Sequence, residues 1–421
     1  MKTSDLKKYQ TRLKNFLSDL LSMVGRTERR HWGEVYIRGL LSDSERKSVE
    51  AMALKMNDGN VQAMQQFIGQ SPWDYVPVRK HLVEKMVSIA TPPVAWLIDD
   101  TGFPKQGKHS VGVARQYSGT LGKVGNCQIA VSLNYATDSY CFPLDFSLYL
   151  PEEWINDPTK RSKAGIPQEQ EFQKKWEIAL KMIDQALTWK IPQGVIVADA
   201  GYGKITAFRK QLERRELKYV VGVDNSTSVW EEAVNSPPPM YQMKGRAGAK
   251  HYGLPNPRSV LKVVKSRPRK EWQEVAWRKG SKGVLCSNFL CIRVQPAHGH
   301  AYGKVEHKMC WLLAEWPKSE EEPTKFWFSN LPEETTLHQL VYMAKIRWWI
   351  EQNYQQLKEE LGLDHFEGRS WLGWHHHVTM TMIAFGFLTS EMIRLKKNYW
   401  VDYPENQDDD STISVSLDRS M

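Results

Sequence analysis

Three acidic positions carry the residue types that could hold a metal ion or move a proton. The first is in VAWLIDDTGFPK, residues 94–105, where an unbroken apolar run stops on Asp99 and Asp100. The second, Asp199, directly follows the short apolar run GVIVA. The third, Glu351, lies in RWWIEQNYQQLKEELGL, residues 347–363. Carboxylate oxygens are ligands that Mg²⁺ prefers, so the three positions are candidates for metal-dependent chemistry.

The first acidic pair follows a pattern typical of a buried strand. Residues 94–98 are apolar without alternation, as in a strand covered on both faces of a mostly parallel sheet. Breaker residues over 101–104 predict a turn, which would leave the acids at the strand's carboxyl end, where ligands bind in open α/β sheets. Neighbouring strand residues point to opposite faces, so at most one of Asp99 and Asp100 should line a given site. The other acid should hydrogen-bond to the backbone of the turn. For an acidic pair with no further evidence of a site, capping the turn would be the more common role of both residues.

The other two acids sit in recognisable local patterns. Asp199 is followed by Gly201 and Gly203 and by a predicted helix over residues 205–214, which repeats the order strand, acid, glycine turn and helix. Glu351 lies in a predicted helix. Offsets of four and seven residues place Arg347, Glu351 and Lys358 on one helical face. A salt-bridged surface helix is the ordinary alternative for that segment.

Two strand-end aspartates and a distant helical glutamate in an R-x3-E-x6-K frame resemble the DDE transposases of bacterial insertion sequences. The resemblance is to the cut-and-paste type, whose catalytic core is ribonuclease H-like. Within that type, DDTGFPK followed by GVARQYSGTLGKVGNCQ is most similar to the group numbered seven hundred and one. The similarity covers residues 72–393, which is most of the chain.

The resemblance implies a role for each matching residue. The family's catalytic and metal-binding acids fall on Asp100, Asp199 and Glu351, and its signature arginine and lysine fall on Arg347 and Lys358. The signature tyrosine is absent, because the position three residues before the arginine is an alanine. The acids would hold two Mg²⁺ ions, with Mn²⁺ as a possible substitute. The implied reaction is cleavage at element ends and joining to target DNA, by a homodimer bound to double-stranded DNA.

Length and patterning predict an α/β protein with several parts. At 421 residues the chain exceeds the ~250 to 300 residues that one hydrophobic core supports. The resemblance implies that this α/β protein has a ribonuclease H-like mixed sheet flanked by helices, with a β-rich insertion and an N-terminal helical domain. The predicted division begins with an N-terminal helical domain that binds DNA and a first core part. The β-rich insertion, a second core part with the glutamate helix, and an acidic tail follow. Their ranges are 1–90, 91–223, 224–332, 333–395 and 396–421.

Charge and cysteine usage indicate the partner and the compartment. The net charge is +9, although the last twenty residues hold six acids and one arginine. A basic body is consistent with a polyanion such as DNA. Five cysteines without a C-x-x-C pair and a polar start predict a reducing cytoplasm. The apolar run at 378–389 is shorter than the ~20 residues of a membrane helix and predicts a core helix.

Basic segments are the candidates for DNA contact. The glycine-rich stretch 105–123 lacks the GxxxxGK[ST] pattern of a nucleotide-binding loop but could bring cations to phosphates. Its candidates are Lys105, Lys108, Arg115 and Lys123, with a hairpin bearing surface lysines as the alternative. Lys160, Arg161 and Lys163 are expected in an exposed loop. In the insertion, Trp272 and Trp277 interleave with a dense basic cluster. They could stack on bases or form the core of a small sheet.

Cysteines and histidines do not predict a zinc site. The candidates fit no paired ligand spacing and are assigned to packing and surface: Cys286, Cys291, His298, His300, His307 and Cys310. The run of three histidines at 375–377 is expected at a helix start, because consecutive residues diverge by ~100° around a helix.

Overall fold

The computed structural model describes residues 3–235, 254–280, 283–300, 305 and 307–402. Its α-helices are α1 Thr3–Leu21, α2 Thr27–Leu40, α3 Val49–Lys55, α4 Val61–Gly69, α5 Tyr75–Ile89, α6 Glu152–Ile155, α7 Pro158–Ala164, α8 Lys175–Thr188, α9 Ala200–Gly203, α10 Thr206–Arg214, α11 Val260–Lys265, α12 Leu337–Lys345, α13 Trp348–Gln355 and α14 Trp371–Asp402. Its strands are β1 Ala95–Pro104, β2 Ala114–Ser118, β3 Lys123–Ala136, β4 Cys141–Tyr149, β5 Val195–Ala198, β6 Tyr219–Val223, β7 Ser228–Trp230, β8 Arg258–Ser259, β9 Gln273–Gly280, β10 Gly283–Pro296, β11 Cys310–Trp316 and β12 Lys325–Ser329. The mixed α/β class predicted from the sequence is confirmed.

The chain forms two compact units. Unit 1 contains the described residues up to Gln193 and those from Trp348 onward, and unit 2 contains the described residues from Gly194 to Arg347. Unit 1 therefore joins the N-terminal helices to β1–β4 and to the two C-terminal helices. The functional division predicted from the sequence, with boundaries after residues 90, 223, 332 and 395, stays a prediction.

The sheet of unit 1 is antiparallel and centred on β3. One edge of β3 pairs with β1 along all ten residues of β1, from Ala95 opposite Ala136 to Pro104 opposite Cys127. The other edge pairs with β2 near the start of β3 and with β4 farther along. The turn predicted at 101–104 is wrong. Because β3 offers a partner to every residue there, β1 continues past the acids, and Asp99 and Asp100 lie in mid-strand.

In unit 1, the spacing of the apolar residues 17, 20, 21 and 24 predicts one amphipathic helical stripe, and the structure buries it. Leu17, Leu20, Leu21 and Val24 are each at most 2% exposed. Ser42 and Glu45 have the spacing of a capping box, which predicts a helix from there through Lys55. That start is wrong, because α3 begins only at Val49 and the Ser42 hydroxyl donates to the carbonyl oxygen of Gly39 (2.7 Å). The predicted core helix is confirmed as the central part of α14. Residues Trp371–Lys396 are long and apolar enough to cross a membrane, but 72% of the apolar window is buried in the fold, as expected of a core helix.

The strands of unit 2 form a mixed arrangement. β5 and β6 are parallel and are connected through α9 and α10. From β6 the order continues β12, β11, β10, β7 and β8 with antiparallel pairing, and β9 pairs with β10. Alternation of polar and apolar residues at 259–265 predicts a strand, and this prediction is wrong. Val260, Val263 and Val264 are buried at helical spacing, and the Ser259 side chain accepts a hydrogen bond from the Lys262 amide, so the segment is α11.

Candidate active site

Glu351 lies in the first turn of α13, in unit 1. The helix then widens into a π-helical turn at Gln356–Glu360. The prediction of one regular helix from Arg347 to Lys358 is therefore wrong: Arg347 precedes α13 and belongs to unit 2, and Lys358 lies in the π turn. Extra residues per turn shift the azimuth of every later side chain, and such turns are frequent at functional sites.

Side-chain contacts hold α13 and its π turn on the sheet of unit 1. The hydroxyl oxygens of Tyr354 and Ser132 are 2.6 Å apart, and the Asn353 amide donates to Asn134 Oδ1 at 3.4 Å. The Lys358 ammonium donates to the Gly102 carbonyl oxygen (2.9 Å) and to the hydroxyl of Thr120 (3.1 Å).

Lys358 is consequently part of the protein's own packing. Burial lowers the pKa of its ammonium. Lys358 ties the π turn directly to β1 and thereby fixes the position of the helix that carries Glu351.

The two β1 acids have different surroundings. Asp100 forms an ion pair with Lys175, the first residue of α8, and both side chains are partly exposed. Asp99 Oδ1 accepts a hydrogen bond from the Asp100 amide at 2.9 Å. The sequence pattern gave no sign of Lys175, because that lysine lies 75 residues further along the chain.

Asp199 caps a helix in unit 2. It follows β5, and its carboxylate accepts a hydrogen bond from the Tyr202 amide (3.3 Å) at the start of α9. The glycine turn is tightly packed, since a Cβ at Gly203 would stand 2.0 Å from the carbonyl oxygen of Gly222. The predicted order of strand, acid, glycine turn and helix is confirmed at this position.

The chemistry of the three predicted acids suits a hard divalent cation. Asp100 and Asp199 are half-buried, Glu351 is exposed, and all three offer only carboxylate oxygens, which favour Mg²⁺ or Mn²⁺ over zinc. Within the described ranges no three His, Cys, Asp or Glu side chains are already grouped as a metal site. Asp100 and Glu351 belong to unit 1 and Asp199 to unit 2, so their joint action stays a prediction.

A basic groove runs over unit 1 and is defined here by four exposed cations: Lys108, Arg115, Lys163 and Arg369. Three adjoining cavities of about 970, 790 and 510 Å³ form this groove, and Arg369 lines all of them. In the part of the chain that the structure describes, none of the four side chains has a hydrogen bond or ion pair. The sequence interpretation missed Arg369, which lies beyond the glutamate helix.

Other predicted DNA contacts are placed differently. Lys123 is exposed at the start of β3. Lys105 is half-buried and donates to the carbonyl oxygens of Phe366 (2.6 Å) and Asp364 (3.5 Å), and burial lowers the pKa of its ammonium. Lys105 therefore braces the segment that carries Arg369.

The two candidate tryptophans pack inside unit 2. Trp272 is 7% exposed and lies edge-on against Trp316. Trp277 is half-buried, edge-on against Phe289, with the Lys345 ammonium 4.4 Å from its ring centroid. A base cannot reach the faces of Trp272 in this arrangement. Trp272 is therefore part of the core of a small sheet, the alternative predicted from the sequence.

Two comparisons with known proteins bear on this geometry. The family model for the DDE superfamily endonuclease matches residues 19–284. Over 333 residues the chain is 25% identical to a protein of Microchaete diplosiphon described as a probable transposase for insertion sequence element IS701. That alignment covers 78% of this chain and 74% of the relative.

Proposed function

The chain belongs to the DDE superfamily of endonucleases, and from that premise we propose that it is a transposase. It would cut the ends of an insertion sequence and join them to target DNA. The observation that carries the proposal is the family match, which spans the β1 acids and Asp199. The similarity to the IS701 protein supports the choice of transposition over other endonuclease reactions.

We assign the metal-binding role to Asp199, Glu351 and one acid of the β1 pair, which the resemblance places at Asp100. These carboxylates would hold two Mg²⁺ ions, which would lower the pKa of an attacking water or 3′-hydroxyl and stabilise the leaving oxygen. The protein supplies the positions of the carboxylates. The contacts of Lys358 with Gly102 and Thr120 hold the glutamate helix against β1. Arg347, four residues before Glu351, would orient that carboxylate or a phosphate.

The groove of Lys108, Arg115, Lys163 and Arg369 would hold the phosphate backbone of double-stranded DNA. Its cations have no acidic partner in the described chain, so their charge is available for phosphates, which dominate nucleic-acid affinity. Lys123 would add a cation nearby. The resemblance also implies a homodimer on paired ends, acting on DNA in the cytoplasm of a bacterium.

Joining of pre-cleaved DNA tests the function. Duplexes that end in the element's 3′-hydroxyl are incubated with the protein, a plasmid target and Mg²⁺. A transposase joins them, whereas a stand-alone ribonuclease H-like nuclease or resolvase cuts without joining. A domesticated DNA-binding protein does neither. Asp199→Asn and Glu351→Gln should abolish joining and retain end binding, and joining by either variant would contradict the assignment.

A further inference from the structure

We propose that the neighbouring aspartates of β1 have separate roles: Asp99 acts with Glu351, and Asp100 fixes α8 to the sheet through Lys175. This assignment rests on the proposed function and changes one residue of it, since the resemblance places the first catalytic acid at Asp100. The observations that carry it lie entirely within unit 1.

The pairing of β1 with β3 shows which face each acid occupies. The register is one to one without a shift, with Asp99 opposite Ser132 and Asp100 opposite Val131. Residues directly opposite each other in an antiparallel pair carry their side chains on the same face, and consecutive residues alternate faces. Asp99 therefore shares the face of Ser132, and Asp100 lies on the other face.

The glutamate helix covers the Asp99 face. The Tyr354 hydroxyl, from α13, is 2.6 Å from Ser132 Oγ. Phe103, four residues after Asp99 and hence on the same face, has the Lys358 ammonium of the π turn 5.5 Å from its ring centroid. Both contacts come from residues that follow Glu351, and they place the end of α13 and the π turn over this face.

The opposite face belongs to α8. Lys175 forms its ion pair with Asp100 there, and its ammonium is also 5.9 Å from the ring centroid of Tyr149. Tyr149 pairs with Ile129 of β3, which lies two residues before Val131 and therefore on the same face as Asp100. Two independent contacts of one lysine identify the face.

Metal geometry then selects Asp99. Carboxylates that share a Mg²⁺ ion must each bring an oxygen within ~2.1 Å of it. Side chains on opposite faces of β1 cannot both reach an ion that Glu351 binds. Glu351 can therefore share an ion only with the β1 acid on its own face. Asp99 Oδ1 is also held by the backbone amide of Asp100, which orients the carboxylate. The charge of Asp100 is already balanced by the ammonium of Lys175.

Binding of Mn²⁺ by the full-length protein separates the two acids. Free Mn²⁺ is measured by electron paramagnetic resonance during titration of the wild type, Asp99→Asn and Asp100→Asn. Asp99→Asn should weaken binding by more than about tenfold, and Asp100→Asn should bind like the wild type. Thermal unfolding provides the readout for Asp100. The stability lost in Asp100→Asn should not add to the stability lost in Lys175→Gln, because both changes remove the same ion pair. Lys181→Gln, an exposed change on the same helix, is the matched control.

Each outcome decides between the roles. Loss of Mn²⁺ binding in Asp100→Asn, alone or together with Asp99→Asn, overturns the inference and leaves the proposed function intact. Wild-type binding in all of Asp99→Asn, Asp100→Asn, Asp199→Asn and Glu351→Gln would instead overturn the proposed function. If an asparagine variant does not fold, the charge-conserving Asp99→Glu and Asp100→Glu replace it. Only Asp100→Glu should retain joining, and the reverse result overturns the inference.

Discussion

Removal of the groove cations should lower the salt dependence of DNA binding by a calculable amount. The change is Lys108, Arg115, Lys163 and Arg369 to glutamine in one variant. Each cation that neutralises a phosphate contributes about 0.9 to the slope of log affinity against log salt, so four should remove about 3.6. The full value applies because none of the four is paired with an acid in the described chain. Lys105 is left out of the set, since its ammonium bonds to carbonyl oxygens.

The assay is fluorescence anisotropy of a labelled DNA duplex from about 50 to 200 mM salt. A control variant with Lys181, Lys190, Arg214 and Lys218 changed to glutamine removes the same charge from exposed positions outside the groove and outside the predicted N-terminal DNA-binding domain. If the groove variant keeps the wild-type slope, or if the control variant loses as much, the groove does not hold the DNA backbone.

Three further predictions concern stability and pH. Lys345→Met should lower the free energy of unfolding, measured with denaturant, by about 3 to 5 kcal/mol. The change leaves the buried Glu315 carboxylate, which lies 2.6 Å from the Lys345 ammonium, without its partner. A loss no larger than that of exposed Lys325→Met would contradict this. Burial lowers the pKa of His377 to about 4, so the unfolded chain binds more protons and stability should fall as pH drops from about 6.5 to 4. His377→Gln should flatten that fall by about 1.4 kcal/mol per pH unit, and an unchanged slope would refute the assignment. Trp272→Ala should cost about 3 to 5 kcal/mol, whereas a folded variant of wild-type stability with weakened DNA binding would restore the base-stacking hypothesis.

The periodicity of apolar residues was sufficient to predict those elements whose burial follows from their own sequence. The apolar patterning predicts strands at 141–149 and 219–223, and the structure has both with these bounds. The resemblance to DDE enzymes is confirmed by the match over residues 19–284. The turn expected after Asp100 failed because pairing with β3 outweighs the local preferences of a Gly and a Pro. The strand expected at 259–265 failed because valines suit both strands and the buried stripe of a short helix.

Features that depend on distant partners could not be read from the chain. Lys105 lies in a glycine-rich basic stretch typical of a phosphate-binding loop. Its ammonium instead donates to carbonyl oxygens about 260 residues further along the chain. The π turn after Gln355 has no sequence signal, and it changes which side chains share a face with Glu351. Alternation along β1 predicted that Asp99 and Asp100 would face opposite ways, but only the register with β3 shows which of them faces the glutamate helix.

Replacement of Asp199 by cysteine tests the metal-binding role of the carboxylates most directly. Thiolate is a softer ligand than carboxylate and suits Mg²⁺ poorly, while Mn²⁺ tolerates it better. Joining of 3′-hydroxyl ends by Asp199→Cys should be absent with Mg²⁺ and partly restored with Mn²⁺, under conditions where the wild type is active with both ions. Equal joining activity of Asp199→Cys with the two ions would contradict a role for Asp199 as a metal ligand. So would a loss of joining that Mn²⁺ does not restore, if Asp199→Asn still joins ends.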